Sequence, residues 1–428
     1  MKYEHIKIKI EKIIYWTLFY GLSIVYFSEP YSEAFNRLIA WLVIIFSVIL
    51  IAKSKNNILL FIISFFIGYS NYSIAMGVYI INLRSNYLYP QIIDISVYGR
   101  GILILFLLEI LMIALMPNLK RNSRSISELF INENNKNNIF VILLFLLGLF
   151  IVFYFYTPSI NSSRGSSSPV YEYSIILIII MFYFSGRDKK NLALIYLISI
   201  IYILQSFMSG NRIEAISCII AVFLCTYKRK IKWYNLLIPI FVGLVAMNFI
   251  GNFRDTMNVT SSGIIMALDD LWKEKLVFNT CTYAYFPGLC MIKYSYSLSY
   301  YRSLYYLKQF IYTIFLGQSR AIDGDLIGVV RKYYFHNDGG LTLYFFYLWF
   351  GWGGTIIFAI ILKFYYRIVE FFEILNREKS YYWCMIIYFA ATVPRWYLYG
   401  PWPLFRGMLI CMILFFAFLY LNKVIRYK

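Results

Sequence analysis

Nine side chains in this sequence could do chemistry that an apolar chain has no structural need for. His336 is one of only two histidines and precedes a long apolar run, Leu341 to Leu362. A neutral imidazole can take a proton from a hydroxyl near pH 7, which would make His336 a general base. Arg212 ends the tight turn Ser209-Gly210-Asn211-Arg212 and is followed by Ile213-Glu214. Asn211 can cap the helix that starts there, with Glu214 reaching back as in a capping box. Arg212 then stands in the first turn, where free N–H groups and the dipole favour an anion. A cation adds nothing to helix stability at that end, so a ligand role in catalysis is expected. Pairing with Glu214 or Glu109 is the structural alternative.

The other seven would bind phosphate or sugar. Arg254 follows Gly251-Asn252-Phe253 and can instead pair with Asp255. Arg320 and Arg331 lie in a long polar stretch, residues 252–340, with Asp323 and Asp325. Arg395, Trp396, Trp402 and Arg406 share the Pro394 to Arg406 segment, which Pro and Gly stiffen. Guanidinium groups grip phosphate oxygens in a bidentate way, and indole faces stack on sugar rings. An ordinary aromatic belt at a bilayer interface is the competing explanation for the tryptophans. No second His or Cys stands near His336, so no metal site is expected, magnesium on Asp323 and Asp325 being the remaining metal alternative. No cofactor is called for.

These groups need a frame. The 428 residues are 61% hydrophobic and 14% charged, against about 25% charged in soluble domains. Repeated apolar runs predict an all-α, polytopic integral membrane protein forming a single transmembrane domain over residues 1–428. Twelve spans are expected, near 13–28, 36–52, 58–81, 96–117, 139–156, 173–185, 191–208, 212–227, 235–251, 341–363, 381–393 and 405–422. No cleavable signal peptide is evident, since the first run follows a charged start and lacks a small-residue cleavage site. Residues 252–340 form one large loop, in which Tyr300 to Leu316 is amphipathic and suited to lying flat on the membrane. Cys281 and Cys290 fall in that polar loop, where a disulfide is conceivable in an oxidising space. Cys218, Cys225, Cys384 and Cys411 fall in apolar runs.

Charge distribution then sets orientation. The net charge of +19 is spread through short loops, which argues against a nucleic-acid partner and for a bilayer. Alternate connections carry 24 and 16 Lys+Arg, and nine of the 16 sit in residues 252–340. Long loops hardly count, so both termini are expected in the cytoplasm and the long loop outside. The outer set holds 11 Arg and 5 Lys, the inner set 7 Arg and 17 Lys. Orientation needs only positive charge; an arginine bias outside points to a phosphate-bearing ligand.

Together these features resemble the O-antigen polymerase and ligase families. Ser209-Gly210-Asn211-Arg212 resembles their Gly-x-Arg turn, and His336-Asn337, then Leu341 and Phe350-Gly351-Trp352-Gly353, resemble the ligase branch's His-Asn region. Leu341 stands one residue later than in those families, and many polymerases carry an acidic residue in place of the histidine. The resemblance implies a multi-pass glycosyltransferase of the bacterial inner membrane in lipopolysaccharide biosynthesis. Its substrate would be undecaprenyl-diphosphate-linked oligosaccharide. A polymerase would move the growing glycan onto the terminal sugar of a fresh lipid-linked repeat unit on the periplasmic face, with a chain-length regulator as a candidate partner. An O-antigen ligase, or a flippase for lipid-linked oligosaccharide, is the alternative.

Overall fold

The computed structural model describes residues 32–54, 57–79, 93–115, 126–131, 133–157, 166–208, 212–227, 280–317, 320–334, 339–374 and 380–426, with a few positions before residue 22. Among them the chain is helical apart from one pair of two-residue strands, where Tyr156 faces Ser167 and Thr157 faces Ser166. Four helices are long and apolar enough to cross a bilayer: Glu33–Lys53, Ile95–Leu115, Lys189–Phe207 and Trp402–Val424. Shorter apolar helices are Leu59–Ser70, Asn138–Tyr154, Pro169–Phe184 and Tyr382–Ala391. The outward faces of several carry unbroken apolar stripes, such as Leu38, Trp41, Ile45 and Val48, or Ile142, Leu146, Phe150 and Phe153. In water such stripes are a liability, whereas lipid solvates them. This is the character of a membrane protein. The expected spans at 13–28 and 235–251 fall wholly or mostly outside the described residues.

Chain contacts divide the protein into two compact units, each made of separate stretches of sequence. The first comprises Met1–Lys120, Val277–Glu370 and Trp396–Pro401. Its centre is helix Ile95–Leu115, buried along nearly its whole length. Glu33–Lys53 packs on one side, where the Ser47 hydroxyl bonds the Glu109 carboxyl. Thr280–Ser295 packs on another, against both Ile95–Leu115 and Thr342–Phe350. Gly288 makes that crossing possible, because a Cβ there would run into the Tyr344 ring. Tyr344 in turn donates to the Gly101 carbonyl at 3.0 Å. Within a bilayer, small residues and cross-helix hydrogen bonds of this kind hold helices together, since lipid offers no hydrophobic drive.

Several expectations change in this unit. The second half of the 252–340 segment is folded: helices Thr280–Ser295, Tyr300–Leu316 and Leu326–Arg331 occupy it. Thr280–Ser295 is a core helix with Tyr285, Phe286, Leu289 and Met291 buried. Its Tyr and Thr content, Pro287 and Lys293 lower its hydropathy, which made it read as loop. Cys281 and Cys290 are both buried and unbridged on this one helix. Nine residues of helical rise separate them by about 13 Å, beyond the reach of a disulfide between them. Helix Tyr300–Leu316 has the expected two faces. Ser303, Tyr306, Gln309 and Thr313 point inward, while Ile311, Phe315 and Leu316 are exposed. The expected single run at 341–363 is broken at Gly351, whose φ of 57° ends Thr342–Phe350 and lets Trp352–Ile374 start in a new direction.

The second unit comprises Arg121–Leu276, Phe371–Arg395 and Trp402–Lys428. Helix Pro169–Phe184 is its centre, capped by Ser168, whose Oγ accepts from Tyr171 N at 3.3 Å, with Pro169 at the first position. That cap starts the helix four residues before the expected 173. Asn138–Tyr154, Lys189–Met208, Arg212–Thr226, Ser380–Ala391 and Trp402–Arg426 surround it. Tyr171 ties it to Lys189–Met208: its ring stacks on Tyr202 at 4.7 Å and its hydroxyl reaches Ser206 at 3.1 Å. At the C-terminal end of Pro169–Phe184 lies a basic turn in which Arg187 donates to the Ser127 carbonyl at 3.0 Å and Lys136 pairs with Asp188 at 3.4 Å.

Candidate functional site

The N-terminal end of Pro169–Phe184, opposite that basic turn, carries a cluster of charge. Glu172 lies in the first turn of this helix and Glu214 in the first turn of Arg212–Thr226. Carboxylates suit both positions, because helix N-termini present positive dipole ends. Between them stands Arg395. Its Nη2 donates to Glu172 Oε1 at 2.5 Å, and its Nη1 bonds Glu214 Oε1. Side-chain exposure is 7% for Glu214, 26% for Glu172 and 30% for Arg395, so the pairing is largely shielded from solvent. One fork thus bridges two helix-end carboxylates, an arrangement whose partners are costly to separate.

Arg395 reaches this place through a break in its helix. Ser380–Ala391 ends at Thr392, whose hydroxyl turns back onto the Tyr388 carbonyl at 2.8 Å, and Val393–Tyr399 begins with Pro394 near its start. Tyr388, Thr392 and Arg395 keep a helical spacing across the break and share one face. What was expected as a stiff loop from Pro394 to Arg406 is therefore mostly helix, turning at Gly400 into Trp402–Arg426.

A small half-open cleft of about 30 Å³ lies against the cluster. Glu172, Glu214 and Arg395 form its charged side, and Tyr202, Ser217 and Tyr388 contribute to its wall. Ser217 is three residues after Glu214, so both face the cleft from one helix. Its Oγ is buried and has no hydrogen-bond partner among the described residues. Arg395 alone engages the Glu172 carboxylate, through Oε1.

The expected site residues fall as follows. Arg212, Arg395, Trp402 and Arg406 belong to the second unit. Arg212 is half-buried at the head of its helix, two residues before Glu214. Arg406, half-buried near the start of Trp402–Arg426, acts electrostatically on Tyr173, as does Arg395. Arg395 is held by two carboxylates, Glu172 and Glu214. Trp396 is fully buried against Phe358, and its carbonyl takes the Thr342 hydroxyl, so its ring offers no face to a sugar. Arg320 is exposed in the first unit, and Arg331 ends helix Leu326–Arg331, where a cation already suits the dipole. His336 and Arg254 lie outside the described residues, as do Ser209 to Asn211 of the expected cap. Glu172, Ser217 and the cleft tyrosines were not anticipated. Among the described residues no group of three His, Cys, Asp or Glu is placed to hold a metal ion.

No protein-family model matches the chain, and no curated protein or solved structure is detectably similar to it. The functional reading rests on the residues themselves.

Proposed function

We propose that this chain is a surface-polysaccharide polymerase of the bacterial inner membrane, with both termini cytoplasmic. It transfers a growing glycan from undecaprenyl diphosphate to the terminal sugar of a lipid-linked repeat unit on the periplasmic side. The observation that carries this reading is the gathering of Arg212 and Arg406, with the Glu172–Arg395–Glu214 cluster and its cleft, at one end of a helical bundle. The bundle's other end carries the basic turn of Lys136 and Arg187. That polarity supports an orientation in which the arginine-bearing end faces outward.

The chemistry follows from the substrate. An acceptor hydroxyl attacks the anomeric carbon, and the bond to the diphosphate breaks with its electron pair staying on the phosphate oxygen. Fixed cations stabilise that developing charge better than water does, and Arg212 is the proposed donor of that stabilisation. His336 is proposed to take the hydroxyl proton. Arg254, Arg320 and Arg331 are the further candidates for diphosphate or sugar contacts, with Trp402 for sugar.

A strain lacking the chain tests the reading on a lipopolysaccharide gel. A lipid core bearing a single repeat unit is expected. A bare core with lipid-linked polymer accumulating would make the protein a ligase instead. Single units trapped on the cytoplasmic side would make it a flippase.

A further inference from the structure

The basic end of the second unit holds its lysines in fixed places. Asn137 donates to the Asn422 side chain at 2.6 Å, and Asn191 donates to the Asn138 side chain at 2.9 Å. These bonds tie the starts of Asn138–Tyr154 and Lys189–Met208 to the end of Trp402–Arg426. Asn191 and Asn422 are buried, so the ties are part of the packed structure. Lys136, Lys190 and Lys423 are each the chain neighbour of a tied asparagine, and Lys189 precedes Lys190. Lys136 pairs with Asp188 at 3.4 Å. Lys189, Lys190 and Lys423 are exposed, and none has an acidic partner among the described residues.

From this end Asn138–Tyr154 and Lys189–Met208 run side by side in the same direction. Lys136 meets Asp188 where they start, and the Tyr156 hydroxyl donates to the Gln205 carbonyl at 3.2 Å where they finish. Gly148 lets Ile198 pack closely between those ends. Neither helix contains an acidic residue. Together they present an apolar face, with Ile142, Leu146 and Phe150 exposed on one and Leu197, Ile200 and Leu204 on the other.

Orienting a chain in a membrane needs positive charge on one side and no particular placement of it. Lysines braced by buried hydrogen bonds at the head of an unbroken apolar face fit a narrower purpose. We infer that this end of the second unit binds an anionic diacyl phospholipid of the surrounding bilayer. Its phosphodiester sits among Lys189, Lys190 and Lys423, and its acyl chains lie along the two-helix face. The charges are complementary, and the order of the parts is that of a headgroup and its chains. A zwitterionic lipid offsets its own phosphate and leaves the ammonium groups uncompensated. This inference does not depend on the glycosyl-transfer reading.

The probe is phosphatidylglycerol, offered with an equal amount of phosphatidylcholine to the full-length protein in neutral detergent. Native mass spectrometry counts which lipid stays bound. The wild type should retain phosphatidylglycerol preferentially, and its Tm should rise with phosphatidylglycerol and not with phosphatidylcholine. Each lysine beside an anionic headgroup is worth about a factor of five in affinity, so Lys189→Gln with Lys190→Gln should weaken retention roughly 25-fold. Both side chains are exposed and unpaired, so this double variant should melt in phosphatidylcholine as the wild type does. Lys308→Gln, at an exposed lysine of the first unit, should retain the lipid as the wild type does. Equal retention of the two lipids by the wild type, or unchanged retention by the double variant, would overturn the inference. Complete displacement of the lipid by inorganic phosphate would reduce the site to a simple anion site and overturn it as well.

Discussion

Removing Arg395 should open the second unit, and by an amount the geometry sets. The side chain is the one described cation bonded to both Glu172 and Glu214, and Glu214 is almost fully enclosed. Arg395→Met preserves most of the volume but takes away the guanidinium that bridges the two carboxylates. Breaking a buried pair in this way costs about 3–5 kcal/mol. Water can reach part of Glu172 and the site left by Arg395, which screens some of the loss and lowers the figure to about 2–4 kcal/mol. The unit carries its own reporters, because Cys218, Cys225, Cys384 and Cys411 are free and buried within it. Their reaction with a maleimide in mild detergent follows the population of opened unit when closing outpaces labelling. At 1.4 kcal/mol per factor of ten, labelling should speed up by about 30- to 700-fold. Adding Glu214→Gln removes the buried charge and should bring the rate back to within about tenfold of the wild type. A rate unchanged by Arg395→Met would show that the cluster does not hold the unit together. A double variant no better than the single one would show that the cost does not come from the Glu214 charge.

Three other outcomes bear on the functional reading. Arg212→Lys keeps the charge but loses the planar fork; polymer length on a gel should collapse while the protein still inserts, and full-length polymer from Arg212→Ala would remove this residue from the site. His336→Ala should slow extension of purified lipid-linked units by roughly two to four orders of magnitude, with donor binding unchanged. Near-normal rates from pH 5 to 9 would dismiss it as the base. Cysteines placed at Asn258 and Asn134 should report opposite sides of the membrane to an impermeant reagent. In intact spheroplasts only Asn258→Cys should label, and the reverse pattern would invert the proposed orientation.

Helix positions were legible where apolar side chains run long enough for local periodicity to register. Ile95–Leu115, Asn138–Tyr154, Lys189–Met208 and Arg212–Thr226 all lie within a few residues of where hydropathy puts them. Thr280–Ser295 was missed because Tyr and Thr score as weakly apolar yet bury well when their hydroxyls find partners. The charge cluster was half legible. Arg395 and Glu214 stand 181 positions apart and Arg395 and Glu172 stand 223 apart, and no spacing rule within one sequence spans such gaps. A signal was nonetheless available. Glu172, Glu214 and Arg395 are charges at the ends of otherwise apolar helices, and ionisable residues in such places pair with one another. Pairing them from sequence would also have fixed the faces of their helices. Ser217 follows Glu214 by three, and Thr392 and Tyr388 precede Arg395 by three and seven, so the cleft wall follows from the charges by helical geometry. An arginine held by two carboxylates ties two helix ends together, so its removal is expected to open the unit.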